Sequence, residues 1–299
     1  MSGGGHAASG ELALVQAAAR YTAKLGDRLL AAYALGSLAH GGFSEAVSDI
    51  DLGLILSDPL RTGDAELIRR IAVEASRTGE PLDPRLSVFW GTPSTLRGER
   101  EGGRFPALDR LDLIAHGRLI SGSDQARHGL PSPSAAELLV AGARFALQRL
   151  AGFEFSAGEG RQRSDRDRQA RARDPVEELR SPELLIAGGV RYVTKTVLFP
   201  VRFLFTSASG QVATNDGAVE GYLARSDAPS HALVAAARAW RMGDSAWEAQ
   251  AARLLPLELA PLYAYYINDH VVRLGNLGEH ELLRSFQIWR NRLLEPSQE

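Results

Sequence analysis

The chain has no cysteine, and this absence excludes several classes of function. Without thiols the 299-residue protein can form no disulfide, no cysteine-ligated zinc site and no thiol nucleophile. No run of 18 apolar residues occurs, so the sequence predicts no transmembrane helix and no membrane partner. The first ten residues lack a charged segment followed by an apolar one, so we expect no signal peptide and a cytoplasmic protein.

An excess of charge of one sign is also lacking. The 34 basic and 36 acidic residues leave a formal net charge of −2. This balance argues against a protein that binds nucleic acid or an anionic membrane through its overall charge. Lysine is scarce, since Lys24 and Lys195 are the only two and the other basic residues are arginine. Such arginine, alanine and glycine usage is typical of GC-rich coding, which makes arginine uninformative and Lys195 more notable.

The order of apolar patterns predicts two domains and an α+β fold. Between residues 30 and 122, short apolar runs typical of strands alternate with helical periodicity. Residues 123–133 carry prolines, a glycine and polar side chains, and they indicate the boundary between domains of residues 1–126 and 134–299. The second domain has helical patterning throughout.

Prolines divide the helical pattern of the second domain. A helix that begins at Pro182 is expected to kink or break near Pro200, because proline removes a helix hydrogen bond. The later apolar pattern predicts two separate helices over 245–254 and 257–274.

A pair of carboxylates two residues apart is the first feature that points to chemistry. Asp49 and Asp51 begin the segment DIDLGLIL, which predicts a buried strand over residues 49–56. Residues i and i+2 of a strand share one face, with their α-carbons about 6.5–7 Å apart. Two carboxylates on one face repel each other unless cations lie between them. Two divalent ions about 3.5–4 Å apart serve this purpose in phosphoryl-transfer sites.

A glycine and a serine precede this pair. Gly36 and Ser37 follow a predicted strand that ends at Leu35. A glycine at such a turn lets backbone N–H groups approach a phosphate, and the serine hydroxyl adds a donor. Eleven residues separate Ser37 from Asp49.

The complete segment, GSLAHGGFSEAVSDIDL, resembles the signature of the DNA polymerase β-like nucleotidyltransferase superfamily. It most resembles the small bacterial branch, which includes the aminoglycoside nucleotidyltransferases. The resemblance covers residues 30–122, and residues 134–299 match in kind because helical C-terminal domains are common in that branch. It therefore implies a mixed-sheet nucleotidyltransferase domain followed by an α-helical domain that binds acceptor and nucleotide.

The resemblance also implies roles for individual residues. Gly36 and Ser37 would hold the triphosphate of ATP or another nucleoside triphosphate, and Asp49 and Asp51 would bind two Mg²⁺ ions as the catalytic pair. Lys195 would approach the triphosphate from the helical domain; the alternative is a surface lysine with a buried stem. The implied reaction moves a nucleoside monophosphate, with AMP as first choice, to a hydroxyl of an aminoglycoside-like small molecule.

One carboxylate expected from the resemblance is missing. Family members carry a third carboxylate on a following strand, and the candidate strand here is 85–90, where Ser87 stands in place of the acid. Three alternatives stay open: Asp83 reaches into the site, the second domain or the acceptor supplies the group, or the protein binds nucleotide without transferring it.

Two other charged segments have competing interpretations. Residues 158–180 mix arginines with acidic residues, which favours a solvated loop. The alternative is a surface for RNA, with transfer to tRNA or to a partner protein in the manner of a toxin, which the near-balanced charge disfavours. Arg104, Asp109, Arg110 and Asp112 are interpreted as helix-capping residues and surface ion pairs rather than as the lining of a cleft.

Overall fold

The computed structural model describes residues 3–75, 82–155 and 174–295. The chain forms two compact units, Met1–Pro133 and Ser134–Glu299. In the described ranges no helix is both long and apolar enough to cross a bilayer.

The first unit is built on a four-stranded mixed sheet. The strands are β1 (Leu29–Leu35), β2 (Ile50–Leu56), β3 (Leu86–Gly91) and β4 (Arg118–Gly122). Their spatial order is β3-β2-β1-β4, with β2 and β3 parallel and the other two pairs antiparallel. The helices of this unit are α1 (Gly3–Leu25), α2 (Gly36–His40), α3 (Asp64–Ala75), α4 (Pro93–Leu96) and α5 (Ala107–Ala115).

Side chains alternate between two faces along β2, and each face packs in a different hydrophobic cluster. Ile50, Leu52 and Leu54 are almost completely buried and belong to the core cluster that includes residues of α1 and α3. The opposite face of the sheet belongs to a second cluster, in which Leu35 of β1 packs with Leu113 of α5. Because strand side chains alternate, Asp51 lies on this second face.

The second unit is entirely helical in its described part. Its helices are α6 (Ala135–Leu150), α7 (Pro175–Arg180), α8 (Pro182–Ala187), α9 (Val190–Ser209), α10 (Asn215–Leu223), α11 (His231–Arg241), α12 (Trp247–Leu277) and α13 (His280–Leu294). Its core contains fully buried aromatic side chains, among them Tyr263, Tyr266 and Trp289. The predicted α+β fold, a mixed sheet followed by helices, is confirmed.

Two helix predictions in this unit were wrong. The segment that begins at Pro182 breaks at the Gly188–Gly189 pair, and α9 continues through Pro200. Proline at 200 deprives the Thr196 carbonyl of its helix donor, and the Tyr263 hydroxyl supplies a replacement hydrogen bond at 2.8 Å. Tertiary packing therefore compensates for the lost bond.

The two helices expected over 245–254 and 257–274 form the single helix α12. It contains Pro256 and Pro261 within its length. Its buried residues pack along the unit's core, and such packing stabilises a helix more than local propensity does.

Candidate functional site

A close approach between a glycine and a carboxylate defines the centre of the candidate site. Gly36 begins α2 with a φ of +59°, a conformation that side chains with a Cβ rarely adopt. A Cβ at this position would lie 2.4 Å from Oδ2 of Asp51. The missing side chain is therefore what allows the Asp51 carboxylate to lie against the Gly36–Ser37 turn.

The sheet register explains how these segments meet. Asp51 on β2 is paired with Leu35, the last residue of β1, and on its other side with Ser87 of β3. Asp49 directly precedes β2 and is half-buried, as is Asp51. The end of β1, the turn after it and the carboxylate pair thus lie at one end of the sheet.

Ser87 stands beside Asp51 in the parallel register, so no third carboxylate occupies the paired position on β3. Asp83 belongs to a short 3₁₀ turn before β3, and its side chain lies outside the described residues.

The loop between α2 and β2 is closed by its own hydrogen bonds. Ser44 and Ser48 are buried; the Ser48 N–H donates to the Ser44 carbonyl at 2.8 Å, and the Ser44 N–H donates to the Ser48 hydroxyl at 3.0 Å. The Arg85 guanidinium donates to the Glu45 carbonyl and ties this loop to the start of β3. The eleven residues between Ser37 and Asp49 therefore comprise the rest of α2 and a loop whose last part is fixed by hydrogen bonds.

The position of Asp112 shows that the interpretation of this residue as a helix cap or part of a surface ion pair was wrong. Asp112 lies on α5 with 6% exposure, and its Oδ2 accepts the Gly36 N–H at 2.5 Å. Its Oδ1 lies 3.7 Å from Nε2 of His40. The one signal in the sequence was its place next to Leu113 in an apolar helix, which is too weak to distinguish a buried acid from a surface acid.

Arg104 likewise does not cap a helix. Its Nη1 donates to the Val88 carbonyl at 2.8 Å, and its guanidinium lies 5.3 Å from the centre of the Phe89 ring. Burial lowers the pKa of Arg104, and the Asp109 and Asp51 carboxylates counteract that effect. The positively charged Arg104 guanidinium, which is hydrogen-bonded to β3, therefore interacts electrostatically with the Asp51 carboxylate.

The donor set fits magnesium in part. In the described ranges no group of three or more histidine, aspartate and glutamate side chains is arranged to hold a metal. Magnesium is usually held by one or two carboxylates, with substrate phosphates and water as the other ligands. Asp49 and Asp51 can supply such carboxylates, and the cradle at Gly36 keeps the Asp51 oxygen next to the turn.

The remaining predicted residues lie in the second unit. Lys195 is half-buried on α9. Residues 158–173 of the arginine-rich segment lie outside the described residues. At the end of that segment, Asp174 accepts a hydrogen bond from the Val176 N–H at the start of α7 and pairs with Arg292. That part of the segment has a structural role.

No protein-family model matches the chain, and no curated protein matches it in sequence. Among the similar solved structures is one that matches the chain along most of its length. It is spectinomycin adenyltransferase AAD(9) from Enterococcus faecialis, determined with ATP and spectinomycin. The sequences are 13% identical, the match covers 94% of this chain and 98% of that chain, and the TM-score is 0.49. A likeness at this level carries no chemical conclusion, which depends on the motif and the site.

A Ser87→Asp variant is expected to bind divalent ions more tightly than the wild type. It places a third carboxylate beside Asp51, where the repulsion of like charges is relieved by a cation. We expect about tenfold tighter Mn²⁺ binding, or about 1.4 kcal/mol, seen as a larger rise of Tm with added Mn²⁺. Ser87→Asn is the uncharged control. Equal Mn²⁺ shifts in the two variants would contradict a cation site at Asp51.

Proposed function

We propose that the protein is a magnesium-dependent nucleotidyltransferase that moves AMP from ATP to a hydroxyl of a small molecule. The acceptor oxygen forms a bond to the α-phosphorus as pyrophosphate leaves, and the hydroxyl proton is released. The observation that carries this proposal is the contact of Gly36 with the Asp51 carboxylate. A phosphate-binding turn and a metal-binding carboxylate have to be adjacent for a triphosphate and its cation to be bound together.

The chain's own residues mainly position the reactants. The Ser37 hydroxyl and the Ser37 N–H donate to the triphosphate, since the Gly36 N–H already donates to Asp112. Asp49 and Asp51 would hold the magnesium ions. Magnesium, when bound, neutralises the triphosphate and makes the acceptor hydroxyl more acidic. Lys195 is assigned to the triphosphate on the strength of the family resemblance alone. Most of the rate enhancement then comes from orientation and charge.

The acceptor class rests on the resemblance of the motif to aminoglycoside nucleotidyltransferases. Spectinomycin belongs in the acceptor panel because the similar solved structure was determined with it. Transfer to RNA is the less favoured version, because its motivating segment has nearly balanced charge.

A second candidate is nucleotide binding without transfer. It is favoured by the register that places Ser87 beside Asp51, where the family has a carboxylate. Under this proposal Mg-ATP binds, and no acceptor becomes labelled.

A labelling screen separates these functions. The protein is incubated with Mg²⁺ and each of the four α-³²P-labelled nucleoside triphosphates, against spectinomycin, other aminoglycosides and total RNA. We expect label from ATP on a small molecule. Label on RNA would favour the macromolecular acceptor, and calorimetric binding of Mg-ATP without any labelled acceptor would favour the binding protein. If the protein neither bound a triphosphate nor labelled any acceptor, the assignment would be overturned.

A further inference from the structure

The helices α2 and α5 of the first unit meet at two levels. Gly36 and His40 lie four positions apart, at the two ends of α2; Asp112 lies on α5, and His116, four positions later, is the residue that directly follows that helix. A spacing of four positions is about one helical turn. At one level Asp112 accepts the Gly36 N–H at 2.5 Å, and at the next the rings of His40 and His116 meet edge to face at 5.3 Å.

The helix that carries Asp112 is fixed by the core beneath it. Leu113 is fully buried and packs in the same cluster as Leu35, the residue just before the turn. Arg127 donates to the carbonyls of Leu113 and Gly117 at the end of α5, which holds that end in place. Asp112 therefore extends from a rigid support toward the motif.

Burial of the Asp112 carboxylate removes it from water, and the hydrogen bonds around it replace only part of the lost hydration. One oxygen of Asp112 accepts the Gly36 N–H, while Oδ1 is buried and has no hydrogen-bond partner among the described residues. His40 Nε2, at 3.7 Å, is beyond hydrogen-bond distance. A buried carboxylate with one unsatisfied oxygen is a poor stabilising device.

Asp64 provides the comparison, because it is a buried carboxylate with a structural role. It is 7% exposed, close to the 6% of Asp112. Its Oδ2 accepts from the Arg28 guanidinium at 2.5 Å and from the Arg61 N–H at 2.8 Å. It lies near the end of the sheet where Leu29 pairs with Leu56, opposite to the end that carries Asp51.

We propose that Asp112 is a positioning residue for the nucleotide-binding turn, and the proposal rests on the function proposed above. By accepting the Gly36 N–H, the Asp112 carboxylate keeps the turn against Asp51, whose Oδ2 lies where a Cβ of residue 36 would be. Ser37 and the metal-binding carboxylate then keep a constant separation before ATP arrives. Asp112 acts only through Gly36.

Three variants test this role: Asp112→Ala, Asp112→Asn and the control Asp64→Ala. Asparagine keeps an oxygen that can accept the Gly36 N–H, whereas alanine removes it. The first measurement is calorimetric affinity for Mg-ATP, the second is hydrogen exchange of the Gly36 amide, and the third is Tm. Loss of a group that orients a binding element commonly costs about 10–100-fold in affinity or activity.

We expect Asp112→Ala to bind Mg-ATP about 10–100-fold more weakly and to exchange the Gly36 amide faster. Asp112→Asn should retain affinity to within about threefold, since it keeps the acceptor. Asp64→Ala should lower Tm and leave Mg-ATP affinity unchanged.

Wild-type affinity in Asp112→Ala, or equal losses of affinity in Asp112→Ala and Asp64→Ala, would overturn the positioning role and leave the proposed function standing. A wild-type protein that binds no Mg-ATP would overturn the proposed function itself, and this role with it.

Discussion

Asp51→Asn should lower kcat/KM for nucleotidyl transfer by at least about 10³-fold, which is about 4 kcal/mol of transition-state free energy. The substitution keeps the shape of the side chain and removes the charge that is proposed to hold the cation. Because Asp51 is half-buried, solvent screens its attraction for a cation less than it would at a fully exposed position. Asp49→Asn should cause a loss of the same order. Initial rates of AMP transfer from labelled ATP provide the measurement.

The control for charge alone is Asp27→Asn. Asp27 is exposed in the short turn before β1, at the end of that strand opposite to Gly36. It should keep activity to within about twofold, because exposed charges far from a site are screened. If both Asp49→Asn and Asp51→Asn retained wild-type transfer, the nucleotidyltransferase assignment would fail.

Gly36→Ala should be nearly as damaging as loss of the carboxylate. Its Cβ would lie 2.4 Å from Oδ2 of Asp51, so either the turn or the carboxylate has to move. We expect a fall in kcat/KM of about 10²-fold or more, because small displacements of positioned groups have effects of this size. The strained φ of +59° adds about 1–2 kcal/mol of destabilisation for alanine.

Gly26→Ala separates the effect of backbone strain at a positive φ from the effect of the steric clash with Asp51. Gly26 has a φ of +52°, lies before β1 rather than after it, and has open space where a Cβ would be. It should lose a similar amount of stability, read from the midpoint of thermal unfolding, and keep full transfer activity. Equal activity losses in the two alanine variants would show that backbone strain, and not the contact with Asp51, causes the effect.

Local patterns predicted the elements that surround the site well. The apolar runs that end at Leu35 and Leu56 correspond to β1 and β2, because a strand buried in a sheet needs that composition whatever its neighbours are. The alternation within β3 also predicted that Ser87 would face the position of Asp51, and the register places the two side by side. These features follow from short-range periodicity.

Local patterns failed where a residue distant in the sequence supplies a hydrogen bond or a packing contact. A kink or break was expected near Pro200, and the helix is not broken there. The Tyr263 hydroxyl, far along the chain, satisfies the carbonyl that proline leaves without a donor. The same limit applies to Arg104, whose position over Phe89 depends on how a loop returns to β3.

The sequence by itself determined the α+β class, the Gly36–Ser37 turn and the Asp49 and Asp51 pair, since each depends on residue types within one short segment. Only the tertiary structure decided that Asp112 belongs with them. Its carboxylate is 76 residues from Gly36 along the chain, and the two meet because Leu113 and Leu35 pack into one core cluster. Helical periodicity can place an acid on a helix face, but the packing of that helix against a particular strand end decides which backbone N–H the acid will hold.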